Sequence, residues 1–166
     1  MLVTEKIGNL ELFAIINRNI DYVLLNWYET KKRMLRKKTI TGKVIIMKFL
    51  DEHPPLTVGD VIYEDDFNLI AIDIKECNAI IIRPRSIHEM VAVCYEIGNK
   101  HLPLFYQDDE ILTPYEASLF KAFRVSGYAV EQAKRKLIKP LKTTLSHSKS
   151  SNSLFKRIKK LANGTE

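Results

Sequence analysis

Short apolar runs with turn residues between them dominate the first part of the chain. The runs are rich in β-branched and aromatic side chains, which favour strands, and none shows the sustained period and end signals of a helix. They cover residues 21–26, 44–50, 61–63 and 68–74, with turn formers at Thr41-Gly42, Pro54-Pro55, Gly59-Asp60 and Asp65-Asp66. This pattern predicts an N-terminal all-β domain of hairpins over residues 1–75.

From Asn78 onwards the pattern changes to strands that alternate with capped helices. The apolar run 78–83 is typical of a buried strand and stops at Pro84. Ser86 and Glu89 then have the spacing of a capping box, which predicts a helix start. The apolar positions after it, which predict the buried face of this helix, are Ile87, Met90, Val91 and Cys94. Gly98 is expected to end the helix in the left-handed conformation.

The next segment predicts a hairpin and a second helix. Two apolar runs, 104–106 and 111–112, flank Asp108-Asp109 as in a hairpin. A hydroxyl cap at Thr113, Pro114 after it and Glu116 at the third helical position predict a helix start. The expected apolar face of this helix is Tyr115, Leu119, Ala122 and Phe123, and Gly127 is expected to end it.

Residues 128–138 are ambiguous, because their alternation favours a strand and their composition favours a helix. We choose the strand, since it completes a β-α-β-β-α-β unit. The predicted fold class is therefore α+β, with a ferredoxin-like domain over residues 76–142. A Ser/Thr-rich and basic segment follows, and we expect residues 143–166 to form a flexible basic C-terminal tail.

The net charge of the chain is distributed unevenly along the sequence. The formal net charge is +6, with 26 Lys and Arg against 20 Asp and Glu. Residues 131–166 hold the excess, with 10 basic and 2 acidic residues, so the rest is slightly acidic. One inner basic cluster remains at residues 31–38, and such a run is usually a solvated face. The charge alone therefore does not indicate a nucleic-acid partner.

Several classes of protein are excluded on composition and motifs. No apolar run approaches the roughly 18 residues that span a bilayer, and the start has no secretory signal pattern, so we expect a cytoplasmic protein. Phosphate-binding loops, nucleophile elbows and zinc-protease motifs are absent, so the chain is not predicted to be an enzyme. Cys77 and Cys94 do not have zinc-site spacing. The four histidines are His53, His88, His101 and His147.

His101 stands out because it follows the expected helix end and precedes an apolar run, where an imidazole can project from rigid backbone. The segment Gly98-Asn99-Lys100-His101 resembles the Gly-Asn-Arg-His segment of the UreE urease accessory protein family, with Lys100 in place of the commoner Arg. Further resemblance lies, in the same order, at residues 33–50, 59–66, 108–111 and 127–140. The similarity covers about residues 2–142 of the chain.

The resemblance implies an N-terminal domain similar to the peptide-binding module of Hsp40 chaperones, and a C-terminal domain that dimerises. It implies that His101 lies at the two-fold axis of a homodimer and that both copies bind one Ni(II) ion as cargo. Zn(II) and Cu(II) are further candidate metals in vitro. The implied function is nickel delivery during urease maturation, together with the GTPase UreG and the apo-urease accessory complex, without nucleic-acid or membrane partners.

The chain departs from the family in its tail. Many members end in a His-rich segment, whereas no histidine lies between Leu102 and Ser146 here. We therefore predict that His147 supplies a third and a fourth ligand from the two chains.

Two alternative functions stay open at this point. One is a nucleic-acid or peptide-binding module without a metal role, based on the 31–38 cluster and the cationic tail. The other is a separate surface-binding role for the basic amphipathic segment 154–161.

Overall fold

A computed structural model describes residues 1–49 and 54–141 of the chain. His53, His147 and the predicted C-terminal tail lie outside the described residues. The N-terminal domain is built of short strands: β1 (Leu2–Val3), β2 (Gly8–Asn9), β3 (Asn19–Leu25), β4 (Met34–Lys38), β5 (Val44–Lys48), β6 (Asp60–Glu64) and β7 (Asn68–Ile74). Two 3₁₀ turns accompany them, at Leu10–Leu12 and Trp27–Glu29.

These strands form two sheets, with the orders β1-β5-β4 and β2-β6-β7-β3. The hairpins β4-β5 and β6-β7 turn at the predicted Thr41-Gly42 and Asp65-Asp66, although β4 lies outside the predicted apolar runs. Gly42 and Gly59 take positive φ angles, 92° and 82°, as their turns need. The prediction of hairpins alone is wrong, because β3 pairs with β7 and β1 with β5 in parallel. Parallel neighbours require a crossover connection, and local turn signals carry no information about it.

One side of each sheet is buried in a common core. Every second residue of β5 points inward, and Ile45 and Met47 are fully buried while Ile46 is exposed. The core cluster consists of Val3, Val23, Leu25, Ile45, Met47, Phe49, Leu56, Ile62, Ile70, Ile72 and Ile74. Burial of this apolar surface is the main stabilising contribution to the domain.

The C-terminal domain has the element order β-α-β-β-α-β. Its elements are β8 (Glu76–Ile82), α1 (Ile87–Asn99), β9 (Phe105–Gln107), β10 (Glu110–Pro114), α2 (Ala117–Val125) and β11 (Val130–Lys136). The four strands lie in the order β11-β8-β10-β9, and every neighbouring pair is antiparallel. The choice of a strand for residues 128–138 is therefore confirmed, since β11 pairs with β8 along its whole length.

The start of the second helix differs from the prediction. Thr113 belongs to β10, where it pairs with Ile80 and its hydroxyl donates to the Pro103 carbonyl at 3.0 Å. The helix begins at Ala117, three residues later than predicted, and its cap is the Glu116 carboxylate, which accepts from the amides of Ser118 and Leu119. Thr113 is therefore part of the sheet and is not the helix cap that the local pattern predicted. Asp108 and Asp109 form the predicted hairpin turn, both with positive φ.

The first helix starts as predicted but buries a different face. Ser86 caps it, because its hydroxyl accepts from the Glu89 amide at 3.2 Å, while the Glu89 carboxylate accepts from the Arg85 amide. The buried residues are Val93 and Ile97, and Cys94 of the predicted row is half-buried and packs against the same core cluster. Of that row, Ile87 is 78% exposed and Val91 is 63% exposed. This helix is apolar on more than one side, so periodicity cannot select the side that faces the sheet.

Trp27 connects the two domains. Its ring packs against the N-terminal core and also against the C-terminal cluster of Ala79, Ile81, Phe105, Leu112 and Leu137. The Trp27 and Phe105 rings meet edge to face, with their centroids 5.9 Å apart. An ion pair between Lys136 Nζ and Asp73, at 2.7 Å, joins the domains at a second place. The two domains therefore share an apolar junction with a polar contact beside it.

Glu29 holds the 3₁₀ turn that carries Trp27. Its buried carboxylate accepts from the Asn26 amide at 2.9 Å, from the Asn26 side chain at 3.0 Å and from Lys37 Nζ at 2.7 Å. Burial alone would raise the pKa of the Glu29 carboxyl, but the hydrogen bonds and charge of Lys37 and the bonds from Asn26 outweigh it and hold the pKa below its ordinary value. The turn is thus tied to β4 through an ionised group.

Replacement of Glu29 by Gln tests this tie. We expect Glu29→Gln to lower the free energy of unfolding by about 2 kcal/mol at neutral pH, because a buried charge-assisted hydrogen bond is lost. A lowered folded-state pKa means that the contribution is present above the unfolded-state pKa and is lost as pH falls through the folded-state value. Urea unfolding at about pH 7 and about pH 3 should therefore show the difference shrinking in acid. A difference that stays constant with pH would contradict this role.

Candidate metal centre

His101 occupies the left-handed position that ends α1. The helix runs to Asn99, Lys100 is its cap residue, and His101 has φ of 54°. Its amide donates to the Gly98 carbonyl at 2.9 Å, and the Leu102 amide donates to the Ile97 carbonyl at 3.2 Å. This pair of bonds is the Schellman motif, and the apolar contact that accompanies it joins Ile97 and Leu102 in one core cluster.

The prediction that Gly98 ends the helix is wrong. Gly98 lies inside α1 and has no positive φ, whereas the helix continues until Leu102 can pack beside Ile97. The prediction for Gly127 is confirmed, because it has φ of 77° and closes α2 with the same two bonds, from Gly127 to Arg124 and from Tyr128 to Phe123. The two helices of the domain thus end alike, with Gly at one left-handed position and His at the other.

A histidine in this position carries backbone strain. Residues with a Cβ lose about 1 kcal/mol or more in the left-handed region, and such strain persists where the surrounding structure imposes it. The side chain of His101 is exposed, and its backbone is fixed on both sides by the helix and by Leu102, which packs against the helix-face core. The imidazole therefore projects into solvent from a well-fixed backbone, which suits a ligand.

The polar neighbours of this corner are engaged elsewhere. Lys100 Nζ donates to the Ser118 hydroxyl at 3.1 Å, which links the end of α1 to α2. The Ser118 hydroxyl and the amides of Ser118 and Leu119, helped by the Lys100 charge, lower the pKa of the Glu116 carboxyl. This carboxylate caps α2, so it is already committed and is not a free ligand for a metal beside His101.

In the part of the chain that the structure describes, His101 belongs to no cluster of three or more potential metal ligands. Among residues 1–49 and 54–141, no group of three or more His, Cys, Asp or Glu side chains is placed to hold a metal. Both cysteines are half-buried, and burial raises the pKa of the Cys77 and Cys94 thiols, which opposes thiolate ligation. His88 is exposed in the first turn of α1, at the opposite end of the helix from His101. The arrangement suits a site shared between two chains.

An exposed apolar stripe runs along α1 towards His101. We define the α1 stripe as Ile87, Val91 and Tyr95, which are 78%, 63% and 67% exposed and follow one another at intervals of four residues. A shallow depression between the two helices continues it past Ala92 to Ala122 and Tyr128. The sequence identified two members of this stripe but assigned them to the core. Their exposure, which only the structure shows, makes them a candidate contact surface.

Most of this chain is similar to one family of known proteins. The family model described as the N-terminal domain of the UreE urease accessory protein matches residues 3–75, and the model for the C-terminal domain matches residues 78–151. The urease accessory protein UreE of Flavobacterium johnsoniae is 45% identical over 159 residues, covering 94% of this chain and 96% of that protein. The UreE proteins of Actinobacillus pleuropneumoniae and Haemophilus influenzae strain PittEE are 38% and 35% identical over 145 residues, covering 85% of this chain and 78% of theirs.

The two domains and their relatives define an accessory protein that assists another protein and has no reaction of its own. The chain belongs to the UreE urease accessory protein family. It is accordingly a chaperone and not an enzyme, which confirms the prediction made from its motifs. Neither helix of the described part has the length and apolar character needed to cross a membrane.

Substitution of His101 by Gly separates the backbone from the imidazole. We expect His101→Gly to raise the free energy of unfolding by about 0.5–1 kcal/mol, because Gly relieves the left-handed strain at the end of α1. Gly127→Ala is the matched control and should lower it by a similar amount, since the same position of α2 then acquires a Cβ. Chemical unfolding of both variants measures the effect. A destabilised His101→Gly protein would show that the imidazole itself supports the fold.

Proposed function

We propose that this chain is a cytoplasmic nickel metallochaperone that binds Ni(II) between two protomers and delivers it to apo-urease during urease maturation. The observation that carries the proposal is the exposed imidazole of His101, held at a strained helix end that Gly would occupy at lower energy. Membership of the UreE urease accessory family supplies the context of urease maturation. Nickel is the cargo of this protein, so its binding must be reversible.

The coordination chemistry favours a site in which protein ligands occupy only part of the metal's coordination shell. Imidazole is a good ligand for Ni(II), and also for Zn(II) and Cu(II), which are candidate competitors in vitro. Two copies of His101 supply two ligands and leave the remaining positions to water, backbone groups or the tail. His147, which lies outside the described residues, is the proposed third and fourth ligand from the two chains. Such a site can release its metal to an acceptor that offers more ligands.

The proposed dimer forms through the C-terminal domain. The α1 stripe leads to His101, and pairing of two stripes across a two-fold axis would bury Ile87, Val91 and Tyr95 and bring both imidazoles together. We further propose that residues 76–142 form a ferredoxin-like domain, which the strand order β11-β8-β10-β9 supports. A homodimer explains why one chain contributes a single ligand in its described part.

The N-terminal domain is the proposed partner-binding unit. We assign it residues 1–75 and a likeness to the Hsp40 peptide-binding module, while residues 143–166 remain a basic tail. The proposed partners are the urease accessory GTPase UreG and the apo-urease accessory complex. Neither a nucleic acid nor a membrane is needed for this role. Metal binding and partner binding would then lie on separate domains, joined at Trp27.

Nickel titration tests the metal site. We expect the full-length dimer to bind Ni(II), and His101→Ala to bind it more than about a hundredfold more weakly, because both imidazoles of the shared site disappear at once. His88→Ala, which removes another exposed histidine of α1, should bind nickel like the unmodified chain. Calorimetry combined with native mass measurement gives affinity and stoichiometry. Normal nickel binding by a folded His101→Ala protein would refute the site.

The same titration tests whether His147 of the tail is a nickel ligand. His147→Ala is expected to weaken nickel binding or reduce the number of metals per dimer, while the dimer itself persists. A chain that ends at Lys142 serves as a second variant and should reproduce the effect. Unchanged affinity and stoichiometry in both proteins would remove His147 from the ligand set and leave His101 as the proposed ligand.

A charge placed on the α1 stripe tests the dimer. We expect Val91→Glu to raise the dimer dissociation constant more than about tenfold, because two carboxylates would be buried without partners at the two-fold axis. Val125→Glu is the control, since Val125 is 81% exposed on α2, outside the stripe. Sedimentation velocity measures both, and nickel stoichiometry should fall together with the dimer. A Val91→Glu dimer of normal strength would place the interface elsewhere.

A further inference from the structure

The solvent face of the sheet β1-β5-β4 combines cations with aliphatic side chains. Alternation along the strands directs Met34, Arg36 and Lys38 of β4 outward, together with Ile46 and Lys48 of β5. The register places Arg36 beside Ile46 and Met34 beside Lys48, and Leu2 of β1 lies on the other side of Ile46. Met34 is 70% exposed, Leu2 62% and Ile46 44%. We call this set of six side chains the β4 face.

The charge of the β4 face is not neutralised by the described part of the chain. None of the residues of β1, β4 and β5 is acidic. Lys37, which points inward, pairs with Glu29, whereas Arg36, Lys38 and Lys48 form no ion pair with residues 1–49 or 54–141. A patch with three unpaired cations and three exposed aliphatic side chains is complementary to an acidic surface that also carries apolar groups.

The backbone of β4 has an open edge. The Phe49 amide donates to the Arg33 carbonyl at 2.8 Å, and the Thr39 amide donates to the Lys43 carbonyl at 2.9 Å, so odd-numbered residues of β4 bond to β5. In an antiparallel pair the intervening residues direct their amides and carbonyls to the other side. The groups of Met34 and Arg36 therefore face away from β5, and they have no backbone partner among the described residues. The β3 strand approaches this side next to the C-terminal end of β4, where Val23 and Thr39 form a bridge and the Ile40 amide donates to the Tyr22 carbonyl at 2.9 Å.

We propose that the edge of β4 and the β4 face together bind an extended acidic segment of a partner protein, which adds to the sheet as a further strand. The open backbone groups require a polypeptide, and the cations beside them select acidic side chains at alternate positions. A second copy of this edge would place like charges opposite each other, which disfavours self-association. This inference rests on the proposed function only in taking the partner to be a protein of urease maturation.

The aliphatic side chains of the β4 face favour a protein partner over a nucleic acid. Proteins that bind single strands use aromatic side chains as stacking platforms, and the exposed apolar residues of the β4 face are Leu2, Met34 and Ile46. These residues can instead contact the aliphatic side chains of an added strand. Binding by the edge would also use the backbone hydrogen bonds, which a phosphate surface does not complete.

The first experiment measures binding of a fluorescent peptide that alternates Glu and Val to the full-length protein. We expect the charge reversal Arg36→Glu with Lys38→Glu to weaken binding at least about tenfold, and added salt to weaken binding to the unmodified protein. Lys121→Glu with Arg124→Glu, an exposed cationic pair on α2, is the matched control and should bind normally. No binding of the peptide, or equal binding by both double variants, would overturn the proposal.

The second experiment separates strand addition from attraction between charges. Met34→Pro keeps every cation but removes an amide that faces the open edge, at the first residue of an edge strand, where Pro is tolerated. We expect Met34→Pro to weaken peptide binding at least about fivefold relative to Met34→Ala, and the peptide to slow hydrogen exchange of the Met34 and Arg36 amides. Equal affinities of these two variants, or exchange unaffected by peptide, would refute strand addition.

Two controls keep this site apart from the metal site and from other anions. His101→Ala should bind the peptide normally, and the Arg36 and Lys38 double variant should bind nickel normally, so each proposal can fail alone. Anionic phospholipid vesicles and single-stranded RNA serve as competing probes. Binding of either one through Arg36 and Lys38, with weaker or no binding of the peptide, would overturn the assignment of a protein partner.

Discussion

The packing of Trp27 between two apolar clusters is the contact on which the arrangement of this protein depends. One ring serves both the N-terminal core and the C-terminal sheet, and the 3₁₀ turn beneath it is fixed by the buried Glu29 carboxylate. Because Glu29 also binds Lys37, the same group fixes the inner side of β4. The position of the domain junction and the presentation of the β4 face therefore have a common cause.

The end of α1 carries the proposed metal ligand in a backbone conformation that is unfavourable for a residue with a Cβ. Two helices in one domain close with the same hydrogen bonds, yet one has Gly at the left-handed position and the other has His101. The contact between Ile97 and Leu102 stabilises the turn and offsets the strain of the imidazole-bearing residue. In the proposed dimer the exposed α1 stripe beside it is the contact surface for a second chain, which would supply a second imidazole to the metal.

Division of labour between the domains follows from these features. The proposed metal ligand and contact surface belong to α1, whereas the unpaired cations and the open strand edge belong to β4. For the proposed nickel carrier this separation is an advantage, because metal and acceptor could then be held at the same time. The junction at Trp27 and the ion pair between Lys136 and Asp73 keep the two surfaces on one body.

Local patterns in the sequence determined most of the strands, the order of elements in the C-terminal half, and the turns at Gly42, Gly59, Gly127 and Asp108-Asp109. These features depend on φ requirements and side-chain alternation, which act over a few residues. Strands β1, β2 and β4 lie outside the apolar runs. Resemblance to the UreE family, not local pattern, selected His101. Tertiary structure decided which face of α1 is buried, where that helix ends, and that β3 lies parallel to β7. These outcomes depend on contacts between distant residues: Val93 and Ile97 compete with Ile87 and Val91 for the sheet, and only the packed domain shows which pair is buried.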